Sequence, residues 1–255
     1  MGTISRRGFL AGLGAGAACC GWAVEGAKAA ERPNILFIMS DDHAAHAISA
    51  YDGRLIQTPN IDRLAKEGCL FTHVFATNAI CSPSRASILT GQYSHVNGVP
   101  VFNKLDPAKV TVAHRLQRAG YYTAMIGKWH LGSDPQGFDH WEIFPGQGEY
   151  FDPVLYTCEG SKKYVGEYAT DLVTRLTIEQ LRSRPKDKPF FLMMHHKAPH
   201  RPWQPAPRHK AVWRQKTIPE PPTLFDDYAG RADPLREQRQ SIARDLNKTD
   251  VKEEV

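Results

Sequence analysis

What this sequence lacks narrows its role. It has no strong excess of charge: 32 lysines and arginines stand against 27 aspartates and glutamates, a formal net charge of +5. No basic run is interleaved with aromatic residues, so nucleic acid is not an expected partner. No internal repeat is found, which argues against a solenoid or an array. Cysteine is sparse, at five in 255 residues. What remains is ordinary: 42% hydrophobic and 23% charged residues is the composition of a soluble globular protein with enough apolar material for a substantial core. The length suits one large α/β domain or two small ones.

Residues 1–29 read as a targeting segment and are set apart from the fold. Ser5-Arg6-Arg7-Gly8-Phe9-Leu10 is a twin-arginine export signature. Gly8 to Val24 follows as 17 uncharged residues rich in glycine and alanine, at the short edge for a spanning helix and too weakly apolar to favour one. Ala27-Lys28-Ala29 places small residues where a signal peptidase reads, so cleavage after Ala29 is expected. A lipoprotein site at Cys19 or Cys20 is the weaker reading, because Gly16 stands where leucine is expected. Export by the twin-arginine machinery to the periplasm or the exterior follows. Removal of residues 1–29 lowers the net charge to +3 and leaves Cys69, Cys81 and Cys158. An odd count in an exported chain flags a reactive thiol. Whether Cys69 and Cys158 pair is left open.

Beyond residue 30, strands and helices alternate. Asn34–Met39 is a short continuous apolar run, predicted to be a strand covered on both faces. It runs into Ser40-Asp41-Asp42-His43, which sets two carboxylates at the carboxyl end of the strand, where open α/β sheets gather ligands. A helix is predicted to open at Thr58-Pro59-Asn60, with Ile61, Leu64 and Ala65 at helical spacing. Cys69–Phe75 reads as a second strand and Pro83–Leu89 as a helix with Pro near its start. A helix at Val112–Ala119, a strand at Tyr121–Ile126, a long amphipathic helix at Tyr168–Ser183 and a strand at Phe190–Met194 follow. This alternation predicts a mostly parallel sheet with helices on both faces. Seven prolines between Pro199 and Pro222 predict an irregular loop, and Pro234–Val255 is charged and helix-prone.

The chemistry centres on Cys81-Ser82-Pro83-Ser84-Arg85. A cysteine at a helix N-terminus is either a thiolate favoured by the helix dipole or a small buried residue, and the spacing alone leaves both open. Asp41-Asp42 alone reads most often as a solvated turn. Gly127-Lys128-Trp129-His130-Leu131-Gly132 and Lys197-Ala198-Pro199-His200 each follow a predicted strand, and alone they read as loop residues.

Together, however, Cys-X-Pro-Ser-Arg with its trailing Thr90-Gly91, the Arg-Pro-Asn-Ile-Leu-Phe-Ile run into Asp41-Asp42, Gly-Lys-Trp-His-Leu-Gly and the His200 motif resemble the type I sulfatases. The matches run in family order from about Glu31 to Arg231. The resemblance implies an α/β/α sandwich like that of alkaline phosphatase, with residues 30–255 forming the N-terminal part of the catalytic domain. It implies that Cys81 is oxidised to formylglycine by a maturing enzyme. It also implies that Asp41, Asp42 and the oxygen of residue 81 hold Ca²⁺, Mg²⁺ being the less suited ion. In the implied mechanism one hydroxyl of the hydrated aldehyde attacks sulfur, and the second expels sulfate as the aldehyde re-forms, with His130 as base. Arg85 holds the hydrate, while Lys128 and His200 grip the sulfate and aid the leaving oxygen. His195 and His196 are expected to be structural.

Lys197–Trp203 with Phe225–Arg231 looks like exported bacterial enzymes acting on N-acetylglucosamine 6-sulfate in sulfated glycans. Family members run to about twice this length, and no Asp-Asn-Gly type of motif is found here. The expectation is therefore a truncated chain, weak or inactive by itself. Two other readings stand beside hydrolysis of sulfate esters: a phosphonate or phosphate ester hydrolase of the same superfamily, and a non-catalytic glycan-binding remnant.

Overall fold

The structure, a computed structural model, describes residues 32–213 and 217–246. The export segment, Cys19 and Cys20 lie outside the described residues, as does the end of the charged stretch beyond residue 246.

Six strands form one sheet: β1 (Ile35–Met39), β2 (Tyr122–Gly127), β3 (His140–Ile143), β4 (Val154–Thr157), β5 (Gly160–Lys163) and β6 (Phe190–His195). Their order is β1-β6-β2-β3-β4-β5. The first four in that order are mutually parallel, and β4 and β5 add an antiparallel edge. The expected mostly parallel sheet is therefore present. Its helices are α1 (Pro59–Glu67), α2 (Cys81–Thr90), α3 (Ser94–Asn97), α4 (Val112–Arg118), α5 (Ala169–Ser183), α6 (Pro207–Trp213) and α7 (Asp233–Glu237).

Side chains that alternate along β2 and β6 divide between two cores, because successive residues of a strand face opposite ways. Met125, Phe191 and Met193 pack with Ala86 and Leu89 of α2 and Ala113 of α4. Ala124, Ile126, Leu192 and Met194 pack with Leu172, Val173 and Leu176 of α5. Helices on both faces of a parallel sheet make the α/β/α sandwich that the sequence predicted.

Several expectations change. Cys69–Phe75 forms no strand: its β-prone residues find no neighbouring backbone to complete a ladder, and Phe71, Val74 and Phe75 stay exposed. β1 is not covered on both faces, since Leu36 is 42% and Ile38 53% exposed. Among the described residues, the proline-rich stretch includes a short helix, α6, and α7 covers only four residues, 234–237, of the predicted helical stretch. Strands β3 to β5 were not anticipated. Cys69 and Cys158 are free and exposed.

Candidate active site

Parallel strands carry their carboxyl ends to one edge, and the ladder continues just past them. His196 donates its backbone N–H to Met39 O at 2.8 Å, Asp41 donates to Ala198 O at 3.0 Å, and Lys128 donates to His195 O at 2.8 Å. Three loops are thereby locked side by side, each bearing one of the motifs. Gly127 allows the closest approach: at φ 103° it takes a conformation open to glycine, and a Cβ there would collide with His195 O.

Helix α2 brings the fourth motif. Cys81 is its first residue and is half-buried, while Ser82, Pro83, Arg85, Ala86, Ser87 and Leu89 are buried. The helix ends at Gly91, whose left-handed φ of 66° lets its N–H cap Ser87 O at 2.8 Å. Ser82 Oγ donates to His130 O at 2.7 Å and so pins the α2 N-terminus to the loop after β2.

At the centre is a buried ionic cluster. Asp41 Oδ2 accepts from Arg85 Nη2 at 3.3 Å and forms an ion pair with Lys128 Nζ. All three side chains are less than a tenth exposed. Arg85 Nη1 also donates to Lys128 O and lies 3.1 Å from His195 Nδ1. Burial pulls the Arg85 pKa down, and the Asp41 carboxylate works against that. His130 Nδ1 sits 3.2 Å from Cys81 Sγ. Burial, with Lys128 and Arg85 nearby, lowers its pKa to about 4, so the ring is neutral at pH 7 and able to take a proton.

His200 approaches from the loop after β6. Its Nδ1 donates to Arg201 O at 2.7 Å, which turns Nε2 toward Asp42, 3.6 Å from Oδ2. Tyr150 fixes this loop by donating to His200 O at 2.6 Å. The structure thus brings together Asp41, Asp42, Cys81, Arg85, Lys128, His130 and His200, every site residue named from the sequence.

Sequence reasoning missed others. Gln147, on a turn between Gly146 and Gly148, accepts from Lys128 Nζ through Oε1 and from Lys197 Nζ at 3.3 Å through its backbone oxygen. Lys197 is buried, which together with Lys128 lowers its pKa. No motif marks Gln147; its flanking glycines, both at positive φ, are the nearest thing to a signal. Lys197 stood inside a motif that was read only for its histidine.

Two adjacent carboxylates offer the hard oxygen donors that suit a dication. Both cations on Asp41 meet the same oxygen, Oδ2. Asp42 is exposed. The donors fit Ca²⁺ in kind but fall short of its usual six to eight ligands, and no group of three or more metal-binding side chains occurs among the described residues.

A family model described as Sulfatase matches residues 33–251. This chain belongs to the sulfatase family. Over 228 residues, 87% of the chain, it is 51% identical to an N-acetylglucosamine-6-O-sulfatase of Bacteroides thetaiotaomicron, of which it spans 40%. Its fold matches the solved structure of a protein in complex with its substrate D-glucosamine-2-N,6-O-disulfate, with a TM-score of 0.81 and 50% identity over 86% of this chain and 45% of that one. A second solved structure, Ps i-CgsB in complex with k-i-k-neocarrahexaose, gives 0.69 at 27% identity over 74% of this chain and 50% of that one. The sulfatase chain therefore spans less than half of the curated relative it matches.

Proposed function

We propose that this sulfatase chain hydrolyses sulfate esters of glucosamine-containing glycans, with residue 81 as formylglycine. The observation that carries the reading is Cys81 on the first turn of α2, 3.2 Å from a neutral His130 and beside the buried Asp41–Arg85–Lys128 cluster. Glucosamine 6-sulfate is the favoured substrate class, on the strength of the printed names of the 51% identical relative and of the matched complex.

The obstacle in this reaction is charge: sulfate oxygens repel a nucleophile, and the alkoxide leaves poorly. Hydrated formylglycine supplies the attacking oxygen and a second hydroxyl that later expels sulfate, which a serine could not do. Ca²⁺, held by Asp41, Asp42 and residue 81, would supply Lewis-acid stabilisation. The chain's own residues do the rest. Arg85 holds positive charge against residue 81. Lys128, fixed between Asp41 and Gln147, presents its ammonium to the anion. His130 takes the proton from residue 81 through Nδ1, and His200 is placed to protonate the leaving oxygen.

Mass spectrometry of the Cys81 peptide from a strain with a maturing enzyme should show the aldehyde. Matched aryl sulfate and phosphate esters then test the reaction. Preference for sulfate supports the proposal, whereas strong preference for phosphate makes the protein a phosphate or phosphonate ester hydrolase. No conversion and no calcium binding, with retained affinity for sulfated glycan, makes it a glycan-binding protein. Twin-arginine export to the periplasm or exterior is part of the same proposal and rests on Ser5–Leu10. Arg6→Lys with Arg7→Lys should leave the chain in the cytosolic fraction.

A further inference from the structure

His195 closes β6 inside the site and belongs to none of the roles above. It is fully buried, and its ring lies edge-on to Phe37 with centroids 5.7 Å apart. Nδ1 is 3.1 Å from Arg85 Nη1 and 3.2 Å from Lys128 O, whereas Nε2 is buried without a hydrogen-bond partner among the described residues.

The donor inventory decides between two proton positions. A guanidinium nitrogen only donates. Nη1 has two hydrogens; one goes to Lys128 O, and the other finds an acceptor in Nδ1 if Nδ1 carries no proton. The Nε2–H is then the one donor left unsatisfied, and Nδ1 meets Lys128 O at 3.2 Å as one acceptor beside another. If Nδ1 carries the proton, it donates to Lys128 O beside Nη1, since a carbonyl oxygen can accept twice, but the second hydrogen of the charged Nη1 then faces N–H and Nε2 is still unpaired. Unsatisfied groups cost more when charged, so the first arrangement wins. Burial, with Arg85 alongside, holds the ring's pKa well below the usual range against the opposing pull of Lys128 O, which agrees with a neutral ring and leaves the tautomer to the geometry.

We propose that His195 is the positioning residue of Arg85: a neutral imidazole, protonated on Nε2, whose Nδ1 fixes the guanidinium plane that faces Asp41 and residue 81. Arg85 then has its two terminal nitrogens set by three fixed acceptors: Lys128 O, His195 Nδ1 and Asp41 Oδ2. The inference gains its functional meaning from the proposed role of Arg85, but its geometry does not depend on turnover.

The test uses the full chain with Cys81 unconverted, so it does not presuppose sulfatase activity. In long-range ¹⁵N–¹H spectra of ¹⁵N-histidine protein, the pattern absent from His195→Asn identifies His195. The expected pattern is the Nε2-protonated neutral tautomer, constant from about pH 8 to about pH 5.5, across the range where a free histidine titrates. The second readout is the alkylation rate of Cys81, with exposed Cys69 and Cys158 as internal references. His195→Leu should slow Cys81 roughly threefold, because an unpinned Arg85 stabilises the thiolate less. His195→Asn, whose side-chain oxygen reaches the Nδ1 position, should restore the wild-type rate, and His195→Gln, which reaches toward Nε2, should not. An Nδ1-protonated ring overturns the proposal, as does wild-type Cys81 reactivity in His195→Leu or equal rescue by Asn and Gln. Should the Leu variant fail to fold, the spectrum of the wild type decides. A strong preference for phosphate over sulfate esters, with both readouts as expected, would overturn the function proposed above and leave this inference standing.

Discussion

Strands β1 and β6 lie side by side, parallel and in register from Ile35 opposite Phe191 to Met39 opposite His195. Their sequences, ILFIM and FFLMMH, are apolar but for the closing His195. Yet every residue of β6 after Phe190 is buried, whereas β1 alternates between half-buried and exposed. The difference is position: β6 has a strand on each side and α5 on one face, and β1 has one strand neighbour among the described residues. The contrast extends to the residues beyond them. β6 leads to the buried His195 and Lys197. β1 leads to one buried carboxylate, Asp41, and one exposed, Asp42. An apolar run specifies a strand, but its neighbours decide how much of it is covered.

The adjacent carboxylates give the largest expected separation. Asp41→Asn removes the partner of two buried cations, and breaking a buried ion pair from one side costs about 3–5 kcal/mol. Asp42→Asn should change stability by less than about 0.5 kcal/mol, because an exposed substitution of similar shape disturbs little, and asparagine tolerates the φ of 60° found there. Urea unfolding monitored by circular dichroism measures both, and equal losses would break the comparison. The strands come next. Leu192→Ala on β6 should cost about 2–5 kcal/mol through lost burial and the cavity left between β6 and α5.

The sequence yielded the site more fully than the sheet, for physical reasons. Cys81, Arg85, Lys128, His130 and His200 lie within short contiguous motifs; parallel strands deliver the loops of Lys128, His130 and His200 to one edge, and α2 brings Cys81 and Arg85 to it. β3, β4 and β5 are four residues each, and β5 reads Gly-Ser-Lys-Lys. Such segments become strands because a partner pairs them, a non-local fact with little trace in composition. Cys69–Phe75 shows the reverse case, with strong β propensity and no partner. His195 was expected to be structural since nothing local marks it; only the packing of α2 against the end of β6 brings Arg85 to its ring.

One buried and two half-buried histidines set the response to acid. The pKa values of His130, His195 and His196 are all lowered, chiefly by burial. In the unfolded chain they take protons near pH 6.5. Below that pH the unfolded state binds more protons than the folded one, so stability falls with pH. The Tm should be level above about pH 7 and drop as pH falls from about 6.5 toward 4, the window set by the unfolded value and the folded His130. A Tm that holds steady or rises across that window would show that these rings are charged in the folded state.

A small effect on stability also belongs to the open face of β1. Leu36→Thr with Ile38→Thr alters side chains 42% and 53% exposed. Little apolar area returns to water, and threonine is β-branched and suits a strand, so the stability change should stay within about 1 kcal/mol. The surface changes more. Leu36 and Ile38, with exposed Phe71, Val74 and Phe75, present the kind of apolar area that binds hydrophobic dyes and other chains. The double variant should bind less anilinonaphthalene sulfonate and associate less in sedimentation velocity at matched concentration. The paired change in β6, Leu192→Thr, should do the opposite: lower stability by about 2 kcal/mol or more through a hydroxyl buried without a partner, with greater dye binding as the core loosens. If the β1 variant instead unfolds as readily as the β6 variant, then the exposed face of β1 is a packed surface in solution, and the distinction between the two strands fails.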